Sequence, residues 1–108
     1  MTAAHLFSVQ GEVIIVTGGM GQLGRRFAKV LLQNGAKVVA ADVTNRKSLE
    51  DACEKIESNL GIPSGLINCA AIDTPPNSPA SINGPFEDFP EDVFDKTMSV
   101  NIKGVFLC

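Results

Sequence analysis

The 108-residue chain has no tryptophan, no tyrosine and one histidine, His5; its six aromatic residues are all phenylalanine. No unbroken apolar run exceeds four residues, Val13–Val16 being one of them. A bilayer-spanning helix needs about 20, so no membrane partner is expected. Positive charge is not in excess, since nine Lys and Arg stand against twelve Asp and Glu for a net charge of −3. This excludes a non-specific nucleic-acid binder, which needs a basic face. The segment from Met1 to Phe7 has no basic n-region, so no secretory leader is expected. Cysteine is scarce and odd in number: Cys53, Cys69 and Cys108 share no metal-type spacing. A reduced, cytoplasmic setting without a metal site is the expectation.

What is present is a globular composition, 44% apolar and 19% charged. At 11.4 kDa this is one domain or part of one. Surface scaling predicts roughly 5,800 Å² exposed when folded, against about 16,500 Å² unfolded, which leaves room for one modest core.

Residues 1–11 read as a polar lead-in. Glu12 to Thr17 is a β-branched run without alternation, as in a strand buried on both faces of a parallel sheet. A glycine-rich turn follows, Gly18 to Gly24. Leu23, Phe27, Val30 and Leu31 then form a helical stripe that stops at Asn34-Gly35. Ala36 to Asp42 is a second strand candidate. Asn45 or Ser48 caps the next helix, with Ser48 and Asp51 spaced as a capping box. Leu49, Ala52, Cys53, Ile56 and Leu60 keep the helical period until Gly61 and Pro63. Gly65 to Ala71 is the third strand.

Residues 72–90 hold five of the six prolines and are predicted to be a long loop. Pro90 suits the first turn of a last helix, on which Phe94, Met98, Asn101 and Val105 share a face. The pattern is still helical at Cys108, as in a truncated unit. The order β-α-β-α-β-loop-α predicts an α/β fold: three layers around a short parallel sheet of about three strands, ordered second, first, third. Residues 1–108 are taken as a single, partial nucleotide-binding domain with the 72–90 loop inside it.

The strongest chemical signal is a strand, then Thr17-Gly18-Gly19-Met20-Gly21-Gln22-Leu23-Gly24, then a helix. A pyrophosphate needs backbone N–H groups at a positive helix N-terminus, and side chains in the turn would hold it away. Asp42 follows 18 residues beyond Gly24 at the end of the second strand, where a carboxylate accepts from a ribose 2′-OH. The plainer alternative is a tight β-α turn with Asp42 as a solvated strand-end residue. Arg25 and Arg26 open the helix either as a phosphate screen or as a solvated first turn.

These residues resemble the short-chain dehydrogenase/reductase family. The loop Thr17–Gly24 looks like its Thr-Gly-x-x-x-Gly-x-Gly, although Gln22 stands at the middle glycine and Gly21 one place earlier. Asn68-Cys69-Ala70-Ala71 looks like its Asn-Asn-Ala-Gly, with Cys69 and Ala71 as departures. Val100 to Phe106 looks like its Val-Asn-x-x-Gly-x-Phe, which makes Asn101 the asparagine of the catalytic tetrad.

The resemblance implies a Rossmann-like fold and NAD(P)-dependent oxidoreduction of a small alcohol or ketone. NAD is favoured over NADP by Asp42 and by the lack of a basic residue within the loop. The implied cofactor contacts are Thr17, Gly18, Met20, Gly21, Gln22, Leu23, Gly24, Asp42, Val43, Asn68, Ala70 and Ala71. Asn68 and Asn101 also suit purely structural roles, and Cys69 that of a small packing residue.

The family fits two strands and two helices between the first helix and the Asn-Asn-Ala-Gly strand. Gly35 to Asn68 has room for one of each. Asp42-Val43-Thr44 doubles as the Asp-Val-Thr after the family's third strand, so we expect that one strand–helix unit is missing and its ends are fused. The family's chemistry needs a Tyr acid/base with a Lys four residues later, and a Ser. This chain has no tyrosine, so the 108 residues are expected to be inactive alone. A non-catalytic dinucleotide-binding module and a non-functional deletion product are the alternatives. Open sheet edges predict homo-oligomers.

Overall fold

The computed structural model describes residues 2–41, 45–75 and 77–108. The β-branched run forms β1, Val13–Thr17, in the middle of a three-stranded parallel sheet ordered β2-β1-β3. Its neighbours are β2, Lys37–Ala41, and β3, Gly65–Asn68. The register sets Ile15 opposite Val39 on one side and Leu66 on the other. Class, order and direction are those expected. Among the described residues no fourth strand pairs with either edge.

Alternation along β1 sends its side chains to two layers. Ile14 and Val16 pack on one face with Ala36, Val38, Ile67 and Leu31 of helix α2, Gln22–Gln33. Ile15 and Thr17 face the other side, toward helix α3, Arg46–Asn59, whose buried residue is Ile56. Four of the five β1 residues are buried, as a strand covered on both sides requires.

Several local expectations change. The lead-in contains a short helix, α1, Ala3–Leu6. The α3 cap is Asn45, whose Oδ1 accepts from the Ser48 N–H at 2.9 Å. The Ser48–Asp51 box does not form, because Asp51 instead pairs with Lys47 at 2.7 Å. The third strand stops at Asn68, three residues short of its expected end. The proline-rich stretch is not all loop: it holds a helical turn, α4, Ala80–Asn83, and a 3₁₀ turn, Phe86–Asp88. Pro90 caps α5, Glu91–Met98, which runs into a π-helical segment, Ser99–Gly104, and a last turn, α6, Val105–Leu107.

The helical stripe on α2 is real, but of its four residues only Leu31 packs on the sheet. Leu23, Phe27 and Val30 are 68%, 44% and 56% exposed. Beside Leu31, the sheet-facing side carries buried Gly24 and half-buried Ala28. The accessible surface is 8010 Å², well above the roughly 5,800 Å² of a closed monomer of this mass. The radius of gyration is 17.1 Å, where a compact domain of this length has about 13 Å. The core is thus smaller than composition allows, and apolar helix faces stand open.

Candidate functional site

The site is built where β1 and β3 end side by side. Thr17 closes β1 and is almost completely buried. Its Oγ1 accepts from the Cys69 N–H at 3.1 Å and from the Ala70 N–H at 3.2 Å. One hydroxyl thus ties the outgoing chain of β3 to the start of the glycine turn.

Gly18 turns the chain with φ +63°, and a Cβ there would stand 2.8 Å from the Ala70 Cα. Both the left-handed backbone and the contact require glycine. At the other end of the turn, a Cβ on Gly24 would stand 2.8 Å from the Gly18 carbonyl carbon and 2.9 Å from the Gly19 Cα. Gly24 is therefore what lets α2 start directly over the turn. Gly21 is under less pressure, its Cβ position meeting the Gly18 oxygen at 3.3 Å. Gly19 is not among the contacts that the family resemblance implies, yet it is buried and its Cβ position lies 2.8 Å from the Ala40 Cβ. Its position as the second of a Gly-Gly pair was the available signal.

Gly21 is the N-cap of α2 and offers no capping side chain. The first-turn N–H groups of Gln22, Leu23 and Gly24 have no intrahelical acceptor by helix geometry. They carry the positive end of a twelve-residue helix that has no acid in its first turn. Met20, Gly21, Gln22, Arg25 and Arg26 line an open depression of about 450 Å³ over this terminus. The Arg25 guanidinium donates to the Met20 carbonyl at 3.2 Å, which holds positive charge at the rim. A backbone donor cluster, a glycine N-cap and basic side chains at one concavity fit an anionic phosphate group.

Asn68 ends β3 opposite Thr17, and its side chain is exposed. Ala70 stands half-buried against Gly18, with Ala71 exposed just beyond. Asn101 lies in the π-helical segment, an irregularity frequent at functional sites. Its Oδ1 accepts from the Ile72 N–H at 2.7 Å, and its Nδ2 donates to the Ile72 carbonyl at 2.9 Å. The structure therefore brings Thr17, Gly18, Gly24 and Ala70 together at the strand ends, while Asn101 holds Ile72, two residues beyond Ala70. Asp42 and Val43 lie outside the described residues.

A larger groove, about 520 Å³, lies on the α3 face, away from the glycine turn apart from Thr17 at its end. Among the described residues no three metal-ligating side chains cluster, and no helix is long and apolar enough to cross a membrane.

The family described as enoyl-(acyl carrier protein) reductase matches residues 1–108. Secoisolariciresinol dehydrogenase of Forsythia intermedia is 30% identical over 93% of this chain and 43% of its own length. The chain belongs to the short-chain dehydrogenase/reductase family. A member of this family from Aspergillus versicolor is 28% identical over 99% of this chain and 44% of its own length. Among solved structures, a short-chain dehydrogenase/reductase of Serratia marcescens superposes with a TM-score of 0.75. It is 27% identical, with 93% of this chain and 50% of that one covered. The chain thus spans about half the length of the relatives it matches. The alignment to the Aspergillus protein extends over 138 positions, thirty more than the 108 residues present here.

Proposed function

We propose that these residues are the dinucleotide-binding part of an oxidoreductase that interconverts a small alcohol and a ketone, and that this 108-residue chain binds the cofactor without turning over substrate. The observation that carries the reading is the Thr17–Gly18–Ala70 junction beneath the open N-terminus of α2. It sets the free first-turn N–H groups behind a glycine N-cap that has no side chain to occupy them.

In this reading residues 1–108 form one partial cofactor domain. Gly18, Gly21 and Gly24 cradle the pyrophosphate, with the backbone of Met20, Gln22 and Leu23 completing the turn. Thr17 holds the crevice closed from below. Asp42 takes the adenosine ribose and Val43 lies beside the adenine, which favours NAD over NADP. Asn68, Ala70 and Ala71 approach the cofactor along the β3 exit. When bound, the nicotinamide supplies the hydride. Asn101 fixes the Ile72 backbone at the crevice wall, and the 72–90 segment borders the substrate cleft.

The presence of one strand and one helix, β2 and α3, among the described residues between α2 and β3 supports a missing strand–helix unit. Three free cysteines support a reducing, cytoplasmic compartment. The open apolar faces support self-association. The second reading is a non-catalytic dinucleotide-binding module built on the same turn and strand ends.

The test is NADH binding followed by the cofactor's own fluorescence, with neither Trp nor Tyr emission to interfere. A saturable, blue-shifted signal weakened at least tenfold by Asp42→Ala is the expected result. No saturation would overturn the proposal. Binding without turnover after addition of a carboxy-terminal half bearing Tyr and Lys would favour the second reading.

A further inference from the structure

The cofactor crevice does not account for the groove on the α3 face. That groove is lined by Ile15, Ile56, Leu66 and Leu107, and it carries two thiols, Cys53 from α3 and Cys108 just past α6. Both are free and exposed. They come from elements 55 positions apart in the chain and lie on one cavity of about 520 Å³. The third cysteine is elsewhere: Cys69 is half-buried against the Ile14–Val16 cluster on the opposite face of the sheet.

We infer that Cys53 and Cys108 form a peroxide-responsive thiol pair whose disulfide fastens α6 to α3 across this groove. Burial, and then the neighbouring Cys53, push the Cys108 thiol up from its ordinary value. The Cys108 thiolate is thereby disfavoured, which slows its reactions at neutral pH relative to an ordinary cysteine.

The chemistry balances with hydrogen peroxide as the oxidant. The Cys53 thiolate attacks a peroxide oxygen. An S–O bond forms, the O–O bond breaks, and the departing hydroxide takes a proton to leave as water. Cys108 then attacks the Cys53 sulfenic sulfur. The S–S bond forms, the S–O bond breaks, and a second water leaves. Two thiols give up two electrons, and one peroxide becomes two waters.

The consequence reaches the crevice. The π-helical segment that carries Asn101 runs directly into α6 and Cys108. A bond at Cys108 anchors the helix that holds Ile72.

The test uses the full chain at low micromolar concentration, treated with hydrogen peroxide and read by intact mass and peptide mapping. The expected product is a monomer lighter by about 2 Da, two hydrogens. Its Cys53 and Cys108 peptides are joined, and dithiothreitol reverses the link. Cys69→Ser leaves the link intact, and Cys53→Ser or Cys108→Ser abolishes it. The linked form should melt several degrees higher, as a loop of this length predicts. Dibromobimane, which becomes fluorescent on bridging two nearby thiols, should label the reduced chain and fail on either serine variant. A Cys69 linkage, dimers alone, or a dibromobimane signal unchanged in Cys108→Ser would overturn the inference.

Discussion

Asn101 engages both hydrogen-bonding groups of a single residue 29 positions away. Its amide oxygen takes the Ile72 N–H at 2.7 Å, and its amide nitrogen reaches the Ile72 carbonyl at 2.9 Å. Only a side chain with a donor and an acceptor on one planar group does this. Asn101→Asp keeps the acceptor but sets a carboxylate oxygen against a carbonyl. Asn101→Ala leaves both half-buried backbone groups without their partner. An unsatisfied buried group costs about 1–3 kcal/mol. Both variants should therefore melt several degrees lower, since 1 kcal/mol shifts Tm by about 4–8 °C at this size. Faster hydrogen exchange at the Ile72 amide would locate the effect. Unchanged exchange there would show that other contacts hold the segment.

The glycine turn makes a graded prediction. Alanine at position 24 would press on the Gly18 carbonyl carbon from 2.8 Å, whereas alanine at position 21 meets only an oxygen at 3.3 Å. Overpacking of backbone against backbone costs about 1–3 kcal/mol. Gly24→Ala should lower NADH affinity at least tenfold and reduce stability, while Gly21→Ala does neither to that extent. Titration of NADH fluorescence with both variants checks the order. Equal losses would mean that the turn, not the helix contact, limits binding.

Thr17 tests the junction itself. Thr17→Val removes the hydroxyl at nearly constant volume and strands the Cys69 and Ala70 N–H groups, both part-buried. The destabilisation should be about 2 kcal/mol or more, read from the urea midpoint at constant m-value. Thr17→Ser, which keeps the oxygen, should recover most of it.

These residues also mark where the sequence is legible. The order and direction of the strands follow from β-branched runs separated by a glycine turn and a helical period. Gly18 and Gly24 follow from what a phosphate needs in front of a helix. The partner of Asn101 does not follow, because its contact spans 29 residues and depends on how the last helix lies. The π-helical register at Ser99–Gly104 has no side-chain signature. Periodicity finds the Leu23–Phe27–Val30 stripe, yet the small residues Gly24 and Ala28 face the sheet because they allow the closest approach. Nor does spacing reveal that Cys53 and Cys108 border one groove.

The Cys108 thiol supplies a pH prediction. Burial first, and Cys53 second, disfavour its thiolate, so its value lies above that of an ordinary cysteine. Arg46, Glu50 and Glu57 of α3 line the same groove. At neutral pH Cys108 should therefore react with iodoacetamide more slowly than a free cysteine, and its rate should keep rising after that of the free amino acid has levelled off. Cys53→Ser removes the second contribution and should move the profile toward lower pH. A profile identical to free cysteine would mean that the thiol stands in open solvent.

The last prediction concerns the surface. The chain exposes 8010 Å², roughly 2,000 Å² more than its mass warrants, and a standard interface takes about 800 Å² from each partner. The excess includes the Leu23–Phe27–Val30 flank of α2 and the outer edges of β2 and β3, which no strand among the described residues pairs. Unpaired edges and apolar flanks both favour association. Sedimentation velocity should show self-association at micromolar concentration, with near-complete dissociation at tenfold dilution below the midpoint. Phe27→Lys places a charge within the flank without disturbing buried packing, because Phe27 is 44% exposed and the sheet-facing positions are Gly24, Ala28 and Leu31. It should weaken association by about tenfold or more while leaving Tm of the monomer nearly unchanged. If Phe27→Lys leaves association intact, the sheet edges carry it. A proline at Val39 in edge strand β2, or at Leu66 in β3, would then separate the two edges by which one dissociates the assembly.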